Sequence, residues 1–129
     1  MKSGPARAGL FIYAKDLERL ASFHQTLLGM SRAHAAPGLV VLRSPDLLIT
    51  VNAMPAHVAA QVDISIPPAK RDNAAYKFFF TVPSLQQASQ AAFALGGEVL
   101  PEQWSGPEFV VRNAVDPEGN IFQVRESAP

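Results

Sequence analysis

Two helix frames lie at one fixed interval in this chain, and no other feature constrains its fold so tightly. Asp16 is a good N-cap, and after it Leu17, Leu20, Phe23, Leu27 and Leu28 recur at three- and four-residue steps until Gly29 supplies a stop. Ser84 forms a capping-box pair with Gln87 and opens a second helix that runs through Leu95 and ends at Gly96-Gly97. From position 16 to 84 and from 29 to 97 the interval is 68 residues in both cases. A duplicated unit with a helix in the same place of each copy follows.

Strand signals surround both helices in the same order. Ala8 to Ala14 is a predicted strand with faces Ala8/Leu10/Ile12 and Gly9/Phe11/Tyr13. Ser31 to His34, Leu39 to Arg43 and Leu47 to Asn52 follow the first helix, with Ser44-Pro45-Asp46 turning the chain before the last of them. Tyr76 to Val82 (YKFFFTV) carries the strongest strand signal, and its Phe78 and Phe80 should pack under the second helix while Phe79 faces away. Glu98 to Leu100 and Phe109 to Val115 come next. Asp116-Pro117-Glu118-Gly119 is turn chemistry, because proline presets φ and glycine accepts a positive φ, and a strand from Asn120 to Arg125 leaves it. Each module therefore reads βαβββ, at about 8–54 and 76–126. The modules are joined by a polar, proline-containing linker at about 55–75, in which Val62, Ile64 and Ile66 alternate as one short edge strand. A flexible start precedes Arg7. Each helix should cover one face of its own sheet, leaving the opposite faces to meet or to line a cavity.

Charge and composition exclude several function classes. The 129 residues suit one α+β domain, and eleven Lys/Arg balance eleven Asp/Glu, so no global field recruits nucleic acid or an anionic membrane. The absence of cysteine removes disulfides and thiolate metal sites, and the N-terminus lacks the long apolar run of a signal peptide or membrane span. Cytoplasmic residence is the expectation. There is no Gly-x-Ser-x-Gly elbow and no phosphate-binding Gly-x-x-x-x-Gly-Lys run.

The paired halves, the Asp-Leu-Glu-Arg helix start, the Leu-Leu-Gly-Met helix end and the Asp-Pro-Glu-Gly-Asn turn together resemble the vicinal oxygen chelate superfamily, which includes glyoxalase I, bleomycin-resistance proteins and extradiol dioxygenases. The resemblance runs from about Ala8 to Glu126. It implies paired βαβββ modules forming an open curved mixed sheet with a concave cavity, completed in a homodimer. It further implies that metal-dependent members place ligands at four cavity-facing positions, which fall here on Gly9, Thr50, Lys77 and Gln123. Gly9 has no donor atom, Lys77 is a cation at neutral pH, and Thr50 is a poor metal donor without carboxylate or imidazole companions. One amide oxygen does not hold a divalent ion. His24, His34 and His57 lie elsewhere in the pattern, in the first helix, an early strand and the linker.

If Gln123 faces a cavity, strand alternation puts Phe11, Tyr13, Thr50, Lys77 and Phe79 with it, together with Ile121 and Arg125. Such a lining, largely apolar with a few polar groups, suits a small organic ligand. Lys77 needs a partner, which is either a ligand carboxylate or sulfate or a protein acid such as Glu126; otherwise it extends to solvent from the start of its strand. Trp104, in a glycine- and proline-bearing loop, is either a stacking surface for a planar ligand or a cap on the core or a dimer contact. The leading expectation is a metal-free and cofactor-free binding protein that sequesters a small aromatic or anionic molecule at Phe11, Tyr13, Thr50, Lys77, Phe79, Trp104 and Gln123. The alternatives are a metal-dependent lyase, isomerase or dioxygenase relative with displaced ligands, a metal-free catalyst using Lys77 or Tyr13, and a dimeric interaction module with no ligand.

Overall fold

A computed structural model describes residues 7–128. The flexible start expected before Arg7 lies outside them. The first module runs β1 (Gly9–Ala14), α1 (Leu17–Leu27), β2 (Ser31–Ala36), β3 (Leu39–Arg43) and β4 (Leu48–Ala53). A single turn of helix, α2 (Ala56–Ala59), starts the linker. The second module runs β5 (Phe79–Thr81), α3 (Leu85–Ala94), β6 (Glu98–Gly106), β7 (Phe109–Val115) and β8 (Ile121–Ser127). Each module forms its own four-stranded sheet, ordered β1-β4-β3-β2 and β5-β8-β7-β6, with the first strand parallel to the last and the other pairings antiparallel. This is the expected α+β fold of two βαβββ modules, and neither sheet closes on itself.

Both helix starts are built as the sequence requires. The Asp16 side chain accepts from Arg19 N and the Ser84 side chain from Gln87 N, each satisfying an amide that a first helical turn leaves without a partner. Gly29 and Gly96 take φ of 63° and 92° just past the helix ends, where an L side chain would be strained. Glu126 adds a second device: its Oε1 accepts from Leu85 N at 2.6 Å, placing a negative charge at the positive end of α3.

Three sequence expectations need correction. Val62, Ile64 and Ile66 form no strand; with no sheet edge alongside them they stay in an irregular linker. The Tyr76 to Val82 strand shrinks to Phe79–Thr81, because β5 is an edge strand whose only partner, β8, pairs with these three residues. Trp104 sits in β6 and not in a loop. That strand continues past Pro101 by a register shift between Val99 and Gln103, and an edge strand tolerates a proline at such an irregularity.

The core lies where the two modules meet as well as beneath each helix. Leu20, Phe23, Leu42, Ile49, Val51, Phe122 and Val124 are fully or almost fully buried in one cluster. Phe23 from α1 meets Phe122 from β8 edge to face at 6.3 Å, and Phe78 stacks flat on Phe122 at 5.0 Å. Phe78 therefore packs toward the junction, against Phe122 and His24 of α1, and not simply under α3. Gly97 permits this close approach, since a Cβ there would meet the Phe23 ring and the Val115 carbonyl.

On the outer side of α1, Arg32 reaches Glu18 with both terminal nitrogens, at 3.0 and 2.9 Å, and donates its Nε to Gln25. Hydrogen bonds from Arg32 and then from Ser22 hold the Glu18 carboxyl down to about 2. The folded value lies below that of an unfolded chain, so the contribution is fully present above the ordinary carboxylate range and is lost as pH falls toward 2. Glu18 is well exposed, so Arg32→Ala should change stability by less than about 1 kcal/mol. A carboxyl-detected NMR titration should meanwhile show the Glu18 midpoint returning toward the usual range.

Candidate functional site

Gly9, Phe11 and Tyr13 share the face of β1 that points away from α1, while Ala14 is buried beneath the helix. The parallel register sets Phe11 beside Thr50 and Tyr13 beside Asn52. The rung continues through Val41 on β3 to His34 on β2, so Phe11, Thr50 and His34 lie across one open face. Phe11 and Tyr13 pack edge to face at 5.1 Å, yet each remains 57% exposed.

The corresponding face of the second sheet carries most of the polar chemistry. Phe79 pairs with Gln123, and Gln123 pairs with Asn113. Lys77, just before β5, donates its Nζ to Asn113 Oδ1 at 3.2 Å. Glu126 is thereby excluded as the Lys77 partner, since its carboxylate caps α3. One rung along, Arg125 pairs with Thr81 and with Val111, which in turn pairs with Trp104. The Arg125 guanidinium lies between two rings, 3.7 Å from the Phe79 centroid and 4.2 Å from that of Phe109. Among the described residues no carboxylate approaches Lys77 or Arg125 within 4.0 Å.

The expected site residues thus fall into two groups. Lys77, Phe79 and Gln123 come together on the second sheet, and Trp104 stands on the same face at the opposite edge strand. Phe11, Tyr13 and Thr50 come together on the first, where Phe11 and Thr50 border a shallow depression of about 350 Å³ that none of the second group lines. That Arg125 shares the face of Gln123 was legible from strand alternation, but Asn113 and Phe109, which hold Lys77 and Arg125 in place, carried no signal in the sequence. A wider depression of about 680 Å³ lies between α3 and β6, away from both open faces.

The four positions that correspond to metal ligands do not make a competent donor set. Gly9 lies against the Leu48 carbonyl, Thr50 sits beside Phe11 and Val41, and Lys77 is a cation already bonded to Asn113. Only the Gln123 amide remains. Among the described residues no three His, Asp or Glu side chains converge where they could hold a metal ion.

A buried polar cluster ties the modules together instead. Asp116 Oδ1 accepts from Glu118 N and Asn120 N at 2.9 and 3.0 Å, and Oδ2 accepts from Asn120 Nδ2 at 2.9 Å. His24 of α1 lies 3.1 Å from the same Oδ2, and because a carboxylate only accepts, its Nε2 carries the shared proton. Glu118 reaches back to the first module, where its two oxygens accept from Lys15 N and Asp16 N at 2.8 and 2.7 Å. Both acids are buried. No sequence pattern marked His24 for this role, since its partner is 92 residues away.

Among the described residues no helix is long and apolar enough to cross a membrane. No curated protein sequence matches the chain significantly. Its fold is similar to a glyoxalase/bleomycin resistance protein/dioxygenase family enzyme from Burkholderia phytofirmans PsJN, with TM-score 0.68 and 17% identity over 93% of this chain and 97% of the other. A glyoxalase/bleomycin resistance protein from Albidiferax ferrireducens T118 gives TM-score 0.66 and 20% identity over 94% and 98%. The fosfomycin resistance protein FosX from Mesorhizobium loti gives TM-score 0.65 and 12% identity over 98% and 95%. At these identities the likeness establishes the fold alone. The family model of the glyoxalase-like domain matches residues 9–125, and the chain belongs to that family, within the glyoxalase, bleomycin-resistance and dioxygenase superfamily.

Proposed function

We propose that this protein binds a small aromatic or anionic organic molecule without a metal ion, on the open face of its second sheet. The observation that carries the reading is the pair of cations flanking Gln123. Lys77 is held by a neutral amide and Arg125 by two aromatic rings, and neither has a carboxylate partner among the described residues. An anionic group over Gln123 would neutralise both, and Phe79 and Trp104, 54% and 43% exposed, offer flat surfaces for a ring. The donor chemistry at Gly9, Thr50, Lys77 and Gln123 supports the metal-free part of the reading.

A homodimer fits the same surfaces. Phe11, Tyr13, Phe79 and Trp104 are large apolar side chains left on two open sheet faces. A groove shared by two subunits would let Phe11, Tyr13 and Thr50 of one copy join Lys77 and Gln123 of another around one ligand.

Trp104 is the only tryptophan, so its fluorescence reports directly on this face. Titration with benzenesulfonate should quench or shift that emission saturably, and Lys77→Ala should weaken binding about tenfold, the loss of one charge-assisted contact. Unchanged affinity in Lys77→Ala would remove the assignment of anion recognition to this face.

A further inference from the structure

A groove of about 340 Å³ runs along the junction of the two modules, apart from the Lys77, Gln123 and Arg125 face. Leu10, Ile12 and Met54 form its wall on the first module, and Phe78 and Ile121 form the wall on the second. The volume suits one ring or a short alkyl chain. The linker closes one side, bringing Arg71 and Ala74 to the lining and the exposed Tyr76 to the rim.

Arg71 is anchored there through contacts that leave its recognition atoms available. Its backbone N–H donates to Gly119 O at 2.9 Å and its Nε to Glu118 O at 3.1 Å. Gly119 makes the approach possible, having φ of 89° and a backbone so near the linker that a Cβ would fall on the Ala69 carbonyl. The two terminal nitrogens of Arg71 have no protein acceptor among the described residues. Among the described residues no carboxylate lies within 4.0 Å of the Arg71 nitrogens; Asp63 borders a neighbouring cleft with Arg71 but makes no ion pair with it, and Glu118 and Asp116 are committed to Lys15, Asp16, Asn120 and His24. A guanidinium fixed at one nitrogen and open at two, at the edge of an apolar trough, matches a carboxylate joined to an apolar body. Asp116, a buried carboxylate in the groove's own lining, disfavours a second negative charge, so a monoanion fits better than a dianion.

We propose that this groove is a second small-molecule site, taking a monocarboxylate with one ring or a short alkyl chain, with Arg71 as the anion anchor and the module junction as the apolar pocket. The groove also takes in Phe11 and Tyr13 from the open face of the first sheet but none of Lys77, Phe79, Trp104 or Gln123, so it stands apart from the reading of the second sheet.

The test is an NMR titration of the full chain with benzoate, with hexanoate, and with benzyl alcohol as the uncharged analogue. Both carboxylates should shift the Met54, Ile12 and Ile121 methyl signals saturably. Arg71→Gln should weaken benzoate about tenfold and leave the weaker benzyl alcohol unchanged, while Lys77→Ala leaves benzoate at this site unaffected. Ala74→Trp, at an exposed position, should fill the groove and abolish the shifts with no loss of thermal stability. The inference is overturned by an absence of saturable methyl shifts up to about 10 mM ligand, by unchanged binding in Ala74→Trp, or by benzoate affinity that depends on Lys77 and not on Arg71.

Discussion

Asp116→Ala should destabilise the protein by about 3–5 kcal/mol, the usual consequence of removing one partner from a buried, hydrogen-bonded charge cluster. Three donors besides His24 converge on this carboxylate, from Glu118 N, Asn120 N and Asn120 Nδ2. Alanine returns none of these bonds, and the site is closed to solvent, so water cannot replace them without rearrangement. For a chain of this size that loss corresponds to a fall in Tm of roughly 10–20 °C. The effect should exceed that of His24→Phe, which keeps a planar ring in the same place and leaves Asp116 its three remaining donors. Scanning calorimetry on the two variants decides the point. Comparable losses would mean that the His24 bond, and not the turn geometry, carries most of the stabilisation.

Glu118→Gln should cost about 2–4 kcal/mol, by a different route. The two Glu118 oxygens each accept one backbone N–H, from Lys15 and Asp16, where β1 passes into α1. Glutamine supplies one acceptor oxygen and turns an NH₂ group toward the other amide, setting donor against donor in a buried site. Because Lys15 and Asp16 belong to the first module and Glu118 to the second, the damage should be visible at a distance. Amide exchange should accelerate at Lys15 and Asp16, at the start of α1, although the altered residue lies 102 positions from Asp16. Protection at Lys15 and Asp16 equal to that of the unaltered protein would contradict a locking role for this carboxylate.

The repeated helix frame was readable because N-caps, apolar periodicity and C-terminal glycines are local signals, and both copies carry them at one spacing. Asp16, Gly29, Ser84 and Gly96 all do what their residue types require. The Asp116 turn was equally legible as a turn, and strand alternation from it correctly set Gln123 and Arg125 on one face. Its second role was not legible. Asp116 and Glu118 appear in sequence as ordinary polar turn residues, yet the fold buries both and uses them to bind α1, and no periodicity encodes a pairing over such a separation. Trp104 was misplaced for a related reason: Pro101 and Gly106-Pro107 signal a loop locally, whereas the edge position of β6 and its register shift allow the strand to continue through Pro101.

The candidate site divides along the same line. Phe11, Tyr13, Thr50, Lys77, Phe79 and Gln123 were reachable by alternation and by the repeat register, which say which face a residue occupies. They do not say how two sheets stand relative to each other, and the structure sets these residues on two faces. The neighbours that give Lys77 and Arg125 their chemistry, Asn113 and Phe109, come from β7 through cross-strand contacts that only the folded sheet defines.

The proposed reading is a glyoxalase-like chain that recognises an organic ligand directly, without a metal ion. Its most direct test is elemental analysis of the purified full chain after dialysis against Zn²⁺, Ni²⁺, Mn²⁺ and Fe²⁺ in turn, followed by removal of free ion. Gly9, Thr50, Lys77 and Gln123 predict far less than one tightly held ion per chain in every case. Retention of one equivalent of any of the four, released only by chelator, would rule out metal-free binding.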